Sequence, residues 1–176
     1  MMEPILHTIT LRHSTRAYAE KPIADTLADK LLSAAVCAPS GKNSQPWNFA
    51  VIHTKEIISQ LARCMGYSRF IATAPCVIAV YKVHARCYDN TKDDMAIGAA
   101  IQNLLLCAHA EGLGTCWVGE NMEGVSEILS QYYATDGCTL MSLVAVGYPD
   151  HTHGEEWYSA PVRNPIYRMR RRENEF

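Results

Sequence analysis

The stretch DDMAIGAAIQNLLLCAHAEGLGTCWVGE spans residues 93–120. Its first part predicts one long helix over about 93–111. Asp93 and Asp94 stand where a helix N-terminus favours negative charge, and Gly112 stands where a C-terminal cap belongs. Between them Met95, Ile97, Ala99, Ala100, Ile101, Leu104, Leu105, Leu106 and Ala108 leave no clear polar face. A helix that is apolar nearly all round is buried on several sides. In a chain of 176 residues, a subunit interface is one way to cover it. A short strand over 115–118 follows, with Gly112, Gly114 and Gly119 around it. These glycines do not spell GxGxxG, and they follow a helix rather than opening one. A Rossmann dinucleotide fingerprint is therefore unsupported.

Working outward, Pro75 precedes a continuous apolar run over 76–83, the pattern of a strand buried on both faces. Residues 140–147 read as a last core strand, and 123–133 as a helix. Toward the N-terminus, Phe49, Val51 and Ile52 mark a strand over 47–53, followed by an amphipathic helix over 55–64. Helical spacing of Leu27, Leu31, Ala34 and Ala35 gives a helix over 25–37, which Pro39-Ser40-Gly41 ends. A short first helix covers 4–11. Helices and strands are mixed without strict βαβ alternation, which favours a layered α+β sandwich.

The length fits one domain able to bury its own core, and residues 150–176 are expected to form a polar C-terminal arm. Hydrophobic residues make up 48% and charged residues 19%, an ordinary globular balance. A net charge of −2 and a pI of about 6.4 give no bulk attraction to nucleic acid. Seven cysteines without any CxxC spacing argue against zinc-ribbon or cluster sites and suit a reducing cytoplasm. Residues 1–10 lack the basic opening of a secretory signal. The longest apolar stretch is broken by Gln102, Asn103 and His109, too short a run to cross a membrane. His151 and His153 form an H-x-H pair with no further grouped ligand, so no metal site is expected.

Four segments carry candidate chemistry. Arg12-His13-Ser14-Thr15-Arg16 follows the first helix, and guanidinium forks beside a hydroxyl suit a phosphate or a planar anionic edge. On spacing alone, a solvated helix end outweighs that reading. Ala38-Pro39-Ser40-Gly41-Lys42-Asn43-Ser44-Gln45-Pro46-Trp47 is a stiff loop rich in donors and acceptors, as fit for binding as for an ordinary self-satisfied turn. Gly119 could let a flat ligand approach backbone N–H groups, although a cap and a turn explain the glycines as well. The tail holds Arg163, Arg168, Arg170, Arg171 and Arg172, read by itself as a solvated terminus.

Taken in order, these segments resemble the nitroreductase family over about residues 5–147. Arg12 to Arg16 is similar to its Arg-x-Ser-x-Arg/Lys element. The 38–47 loop resembles its Ala-Pro-Ser-x-x-Asn-x-Gln-Pro-Trp element. Residues 94–114, with Ala99, Gln102, Asn103 and Leu104, resemble its central helix ending Gly-Leu-Gly, and 144–149 its final strand ending Gly-Tyr-Pro. The resemblance implies a three-layer α/β/α sandwich with a mixed, mainly antiparallel sheet. It implies a homodimer that binds FMN at its interface. Arg12, His13 and Ser14 then match positions around the FMN phosphate and ribityl chain. Arg16 matches a basic residue on the pyrimidine edge of the flavin, where its charge favours reduction. Pro39, Ser40, Gly41, Asn43 and Gln45 match a loop laid along the flavin by the second subunit. Gly119 and Glu120 match backbone donors near N5. Arg163 best fits a further phosphate contact, ahead of Arg168 and Arg170. Arg69 stays unassigned.

The implied activity passes hydride from NADH or NADPH, through the flavin, to a nitroaromatic, quinone or similar flat acceptor. No acid–base side chain of the protein is required. A flavin-binding sensor or carrier without turnover, and a specialised flavin enzyme on the same fold, are the competing readings.

Overall fold

The computed structural model describes residues 4–153 and 158–159. Helix α1 covers Pro4–Leu11, and a two-residue strand β1 follows at Ser14–Thr15. The chain then runs through α2 (Asp25–Val36), β2 (Trp47–Ile52), α3 (Lys55–Arg63), β3 (Cys76–Val83), α4 (Asn90–Ala110), β4 (Gly114–Val118), α5 (Met122–Leu129), β5 (Cys138–Gly147) and β6 (Tyr158–Ser159). A 3₁₀ turn at Gly41–Asn43 and a longer 3₁₀ segment at Tyr67–Thr73 lie in the connections.

The strands form one sheet in the order β2-β3-β5-β4-β1-β6. Every pairing is antiparallel except β1 with β4, where Ser14 faces Thr115 in parallel register. The mixed, mainly antiparallel sheet expected from the sequence is present. Alternation along β3 separates two cores. Cys76, Ile78 and Val80 pack with Leu31, Ala100, Ile101 and Leu104 of α2 and α4. Val77, Ala79 and Tyr81 face the opposite way, toward Ile58 and Leu61 of α3, Ile71, and Val125 and Leu129 of α5. Helices therefore cover both faces, giving the three layers.

Helix α4 begins at Asn90, three residues before the expected start, because the Asp89 carboxylate accepts the Lys92 N–H at 2.9 Å and caps it. Gly112 has φ 75°, the left-handed geometry of a helix stop. Helix α5 ends at Leu129 rather than 133, where the chain tightens into turns such as Tyr132 N–H to Leu129 O at 3.0 Å. The first helix stops at Leu11, so Arg12 and Arg16 do not share a helical face. They flank β1 instead. That strand is locked to its neighbour: a Cβ at Gly114 would fall 2.5 Å from Thr15 Oγ1.

Candidate functional site

Pairing of β1 with β4 puts two expected segments on one stretch of sheet. Arg12, His13, Ser14 and Arg16 line the β1 side. Gly119 and Glu120 continue β4 beyond Val118. Arg12, His13, Ser14 and Arg16 are all half-buried. Arg12, His13 and Thr15 share a cavity of about 200 Å³ with His109, Gly114 and His151. The His13 and His109 rings meet edge-on with centroids 6.3 Å apart. Burial first, and then the nearby His13, Arg12 and His7, hold the His109 pKa below its ordinary value. The Arg16 guanidinium lies 6.0 Å from the Phe70 ring centroid.

Gly119 is exposed, with open space where a side chain would begin. The Gly119 and Glu120 N–H groups enter no loop or cap hydrogen bond among the described residues. The Glu120 side chain turns away to a different task. Its Oε1 accepts from Gly66 N–H at 2.7 Å and Tyr67 N–H at 3.2 Å, and its Oε2 from Ser68 N–H at 2.9 Å. Burial pushes the Glu120 pKa up, but the Gly66 N–H, the Ser68 hydroxyl and the Ser68 and Tyr67 N–H groups outweigh it. The net direction is down. Residues 66–68 are thus pinned beside the end of β4, and no sequence spacing announces this contact.

The 39–45 loop is tightly made. Ser40 Oγ accepts the Gln45 N–H at 2.9 Å, Asn43 N–H donates to Ser40 O at 3.0 Å, and Ser44 N–H to Gly41 O at 3.0 Å. Lys42, Asn43 and Gln45 hold φ of 54°, 55° and 47°. Side chains seldom accept that left-handed region, and its strain gathers at functional loops. An added Cβ at Gly41 would land on the Tyr88 ring and hydroxyl, so that exposed side chain would have to swing aside. Ser44 Oγ donates to the fully buried Asp93 at 3.4 Å, which also accepts the Tyr88 and Asp89 N–H groups at 2.9 Å each. Burial would raise the Asp93 pKa. The N–H groups of Asp89 and Tyr88, the Cys87 thiol and Lys82 bring it below the ordinary carboxylate range.

Within one chain the structure does not bring this loop to the β1 segment. The loop is tied to Asp93 and His13 lies against His109. Those positions are sixteen residues apart on α4, about 24 Å at a helical rise of about 1.5 Å per residue. Arg163 and the other tail arginines lie outside the described residues. Among the described residues, no three His, Cys, Asp or Glu side chains gather as a metal site, and no helix is long and apolar enough to cross a membrane.

The donor set fits an elongated anionic group with a flat, polar-edged ring. Two guanidiniums and a hydroxyl lie along one short strand, and an exposed glycine with open space around it follows the next.

Comparison with known proteins agrees with this fold. A sequence model described as the Nitroreductase family matches residues 9–65 and 59–148. An Archaeoglobus fulgidus protein named "Putative NADH dehydrogenase/NAD(P)H nitroreductase" is 32% identical over 93% of this chain and 95% of its own. A crystal structure of a Desulfovibrio desulfuricans protein in complex with FMN superposes with a TM-score of 0.83 at 31% identity, covering 94% of each chain. An FMN-dependent nitroreductase from Clostridium difficile is 25% identical, with a TM-score of 0.73 over 82% of this chain and 87% of that one.

Proposed function

This chain belongs to the nitroreductase family, and on that premise we propose that it is an FMN-dependent oxidoreductase. It takes hydride from NADH or NADPH and gives it to a flat, electron-poor acceptor such as a nitroaromatic or a quinone. The observation that carries this reading is the parallel pairing of β1 with β4, which puts the Arg12 to Arg16 segment on the strand next to the one that leads into Gly119 and Glu120. The FMN-containing relative supports it.

FMN, when bound, supplies the hydride carrier at its N5 atom. Arg12, His13 and Ser14 hold its phosphate, and Arg163 adds a further contact. Arg16 presents positive charge to the pyrimidine edge, a fixed charge that needs no reorganisation during reaction. Gly119 and Glu120 offer backbone donors near N5. No side chain serves as a proton donor; positioning and electrostatics suffice.

The protein works as a homodimer. Pro39, Ser40, Gly41, Asn43 and Gln45 belong to the site, and one chain cannot bring them to Arg12 across the span of α4. They therefore come from a second copy. Helix α1 supports this: it has no buried residue, and Ile5, Leu6, Ile9 and Leu11 are 40–72% exposed. Met95 on α4 and Trp117 on β4 are also uncovered. Exposed apolar surface of this extent marks an interface. Seven unpaired cysteines suit a reducing compartment, and the cytoplasm is its place.

The test is an anaerobic absorption spectrum of the purified protein during addition of NADH and of NADPH. Flavin bands that bleach, and return with a nitroaromatic or quinone, are the expected result. Bands that persist would instead indicate a flavin-binding protein without turnover. A protein that stays colourless after incubation with FMN would overturn the reading.

A further inference from the structure

A groove of about 500 Å³ opens between α3 and the Tyr67–Thr73 segment, lined by Ser59, Ala62, Arg63, Arg69 and Ala72. Its size is that of a small-molecule site. Both arginines are exposed at its walls. Among the described residues, neither has a carboxylate partner within ion-pair distance. Arg69 Nε–H donates to Met65 O at 3.1 Å. That bond fixes its stem and leaves four N–H donors for a ligand. Two unopposed guanidiniums in one groove repel each other, and a chain of net charge −2 has carboxylates available to pair them. A ligand that brings its own negative charge resolves the arrangement.

The groove is close to the proposed reaction site. Arg69 adjoins Phe70, whose ring lies under Arg16. The carboxylate of Glu120 holds the start of the same segment. A molecule whose reactive end lies beside Arg16 and Glu120, and which is long enough to pass Phe70, would lay its far end in this groove. The two reduced nicotinamide nucleotides differ at that far end by one phosphate monoester. A planar guanidinium fork recognises such a dianion in bidentate fashion. A site built for it discriminates against the nucleotide that lacks it, because its donors are then left without an acceptor.

We propose that Arg63 and Arg69 bind the ribose 2′-phosphate of the electron donor, which makes this protein selective for NADPH. The inference rests on the functional reading above, in which a nicotinamide nucleotide is the donor.

Calorimetric titration of the purified protein with adenosine 2′,5′-bisphosphate and adenosine 5′-monophosphate tests the site without turnover. The bisphosphate is expected to bind at least about tenfold more tightly. Arg63→Ala and Arg69→Ala should each abolish most of that difference. Equal binding of the two nucleotides by the unaltered protein would overturn the inference, as would a preference that survives both substitutions. Kinetics separates this failure from that of the functional reading. NADPH should exceed NADH in kcat/KM by about tenfold or more. Arg63→Ala, on the solvent side of α3, should erase the difference through KM for NADPH while leaving kcat and the NADH constants in place. Flavin reduced equally well by both nucleotides overturns the groove assignment alone. Flavin reduced by neither overturns both readings.

Discussion

Glu120 and Gly66 are joined by a hydrogen bond of 2.7 Å from the Gly66 N–H to the Glu120 carboxylate, across 54 positions of sequence. The same carboxylate takes the Tyr67 and Ser68 N–H groups. One side chain therefore holds the segment that carries Phe70 and Arg69, while its own backbone N–H is a candidate donor to the cofactor.

That clamp makes a pH-dependent prediction. The folded Glu120 pKa lies below its ordinary value, so its contribution is present above the unfolded pKa and is lost as pH falls through the folded one. Hydrogen exchange at Gly66, Tyr67 and Ser68 should be slow near neutrality. Relative to other amides of the fold, it should lose protection as pH falls below the ordinary glutamate range. Glu120→Ala should lose that protection at every pH. Unchanged exchange in Glu120→Ala would refute the clamp.

Arg16→Ala should lower the midpoint potential of bound FMN, by about 30 mV for the loss of about 1.4 kcal/mol in a two-electron couple. It should also weaken FMN binding. Arg16→Lys, which keeps the charge, should recover most of the potential. A redox titration that finds all three proteins alike would remove Arg16 from the flavin edge.

Lys42→Gly should produce two effects of opposite sign. Relief of its left-handed backbone, φ 54°, should stabilise the fold by up to about 1 kcal/mol in chemical denaturation. The freer loop should bind FMN less tightly, seen in a fluorescence titration. Looser binding with no gain in stability would mean that the loop carries no strain.

Ile5→Lys combined with Ile9→Lys should convert the proposed dimer to a monomer in sedimentation, since charged groups cannot be buried unpaired at an apolar interface. FMN should be lost in the same preparation. A dimer that persists with its flavin would place the interface away from α1.

Much of this architecture was legible in the sequence. The apolar run of β3 and the all-round apolar α4 announced a sheet covered on both sides. What escaped was set by tertiary contact. β1 is two residues long, and only its parallel pairing with β4 makes it a strand, so on spacing alone Arg12 to Arg16 read as a solvated helix end. The true start of α4 lay with Asp89, because Asp93 is drawn inward to hold the Tyr88 and Asp89 N–H groups. The left-handed φ of Lys42 and Gln45 could not be read from residue types that avoid that region. Glu120 had no visible role for its side chain, since its partners are mostly backbone groups of a distant segment. Arg69, set aside on sequence grounds, acquires meaning only from the groove it shares with Arg63.

The length of α4 has a genetic consequence. On the function proposed above, each flavin site takes Arg12 from one subunit and the Gly41 loop from the other, so the two lesions are separable. Chains carrying Arg12→Ala and chains carrying Gly41→Val, each without flavin alone, would form mixed dimers when made together. Such a pair holds one site with both halves intact and one with neither. Co-expression should restore yellow protein, with flavin at one of the two sites of each mixed dimer, a complementation between two alleles of a single gene.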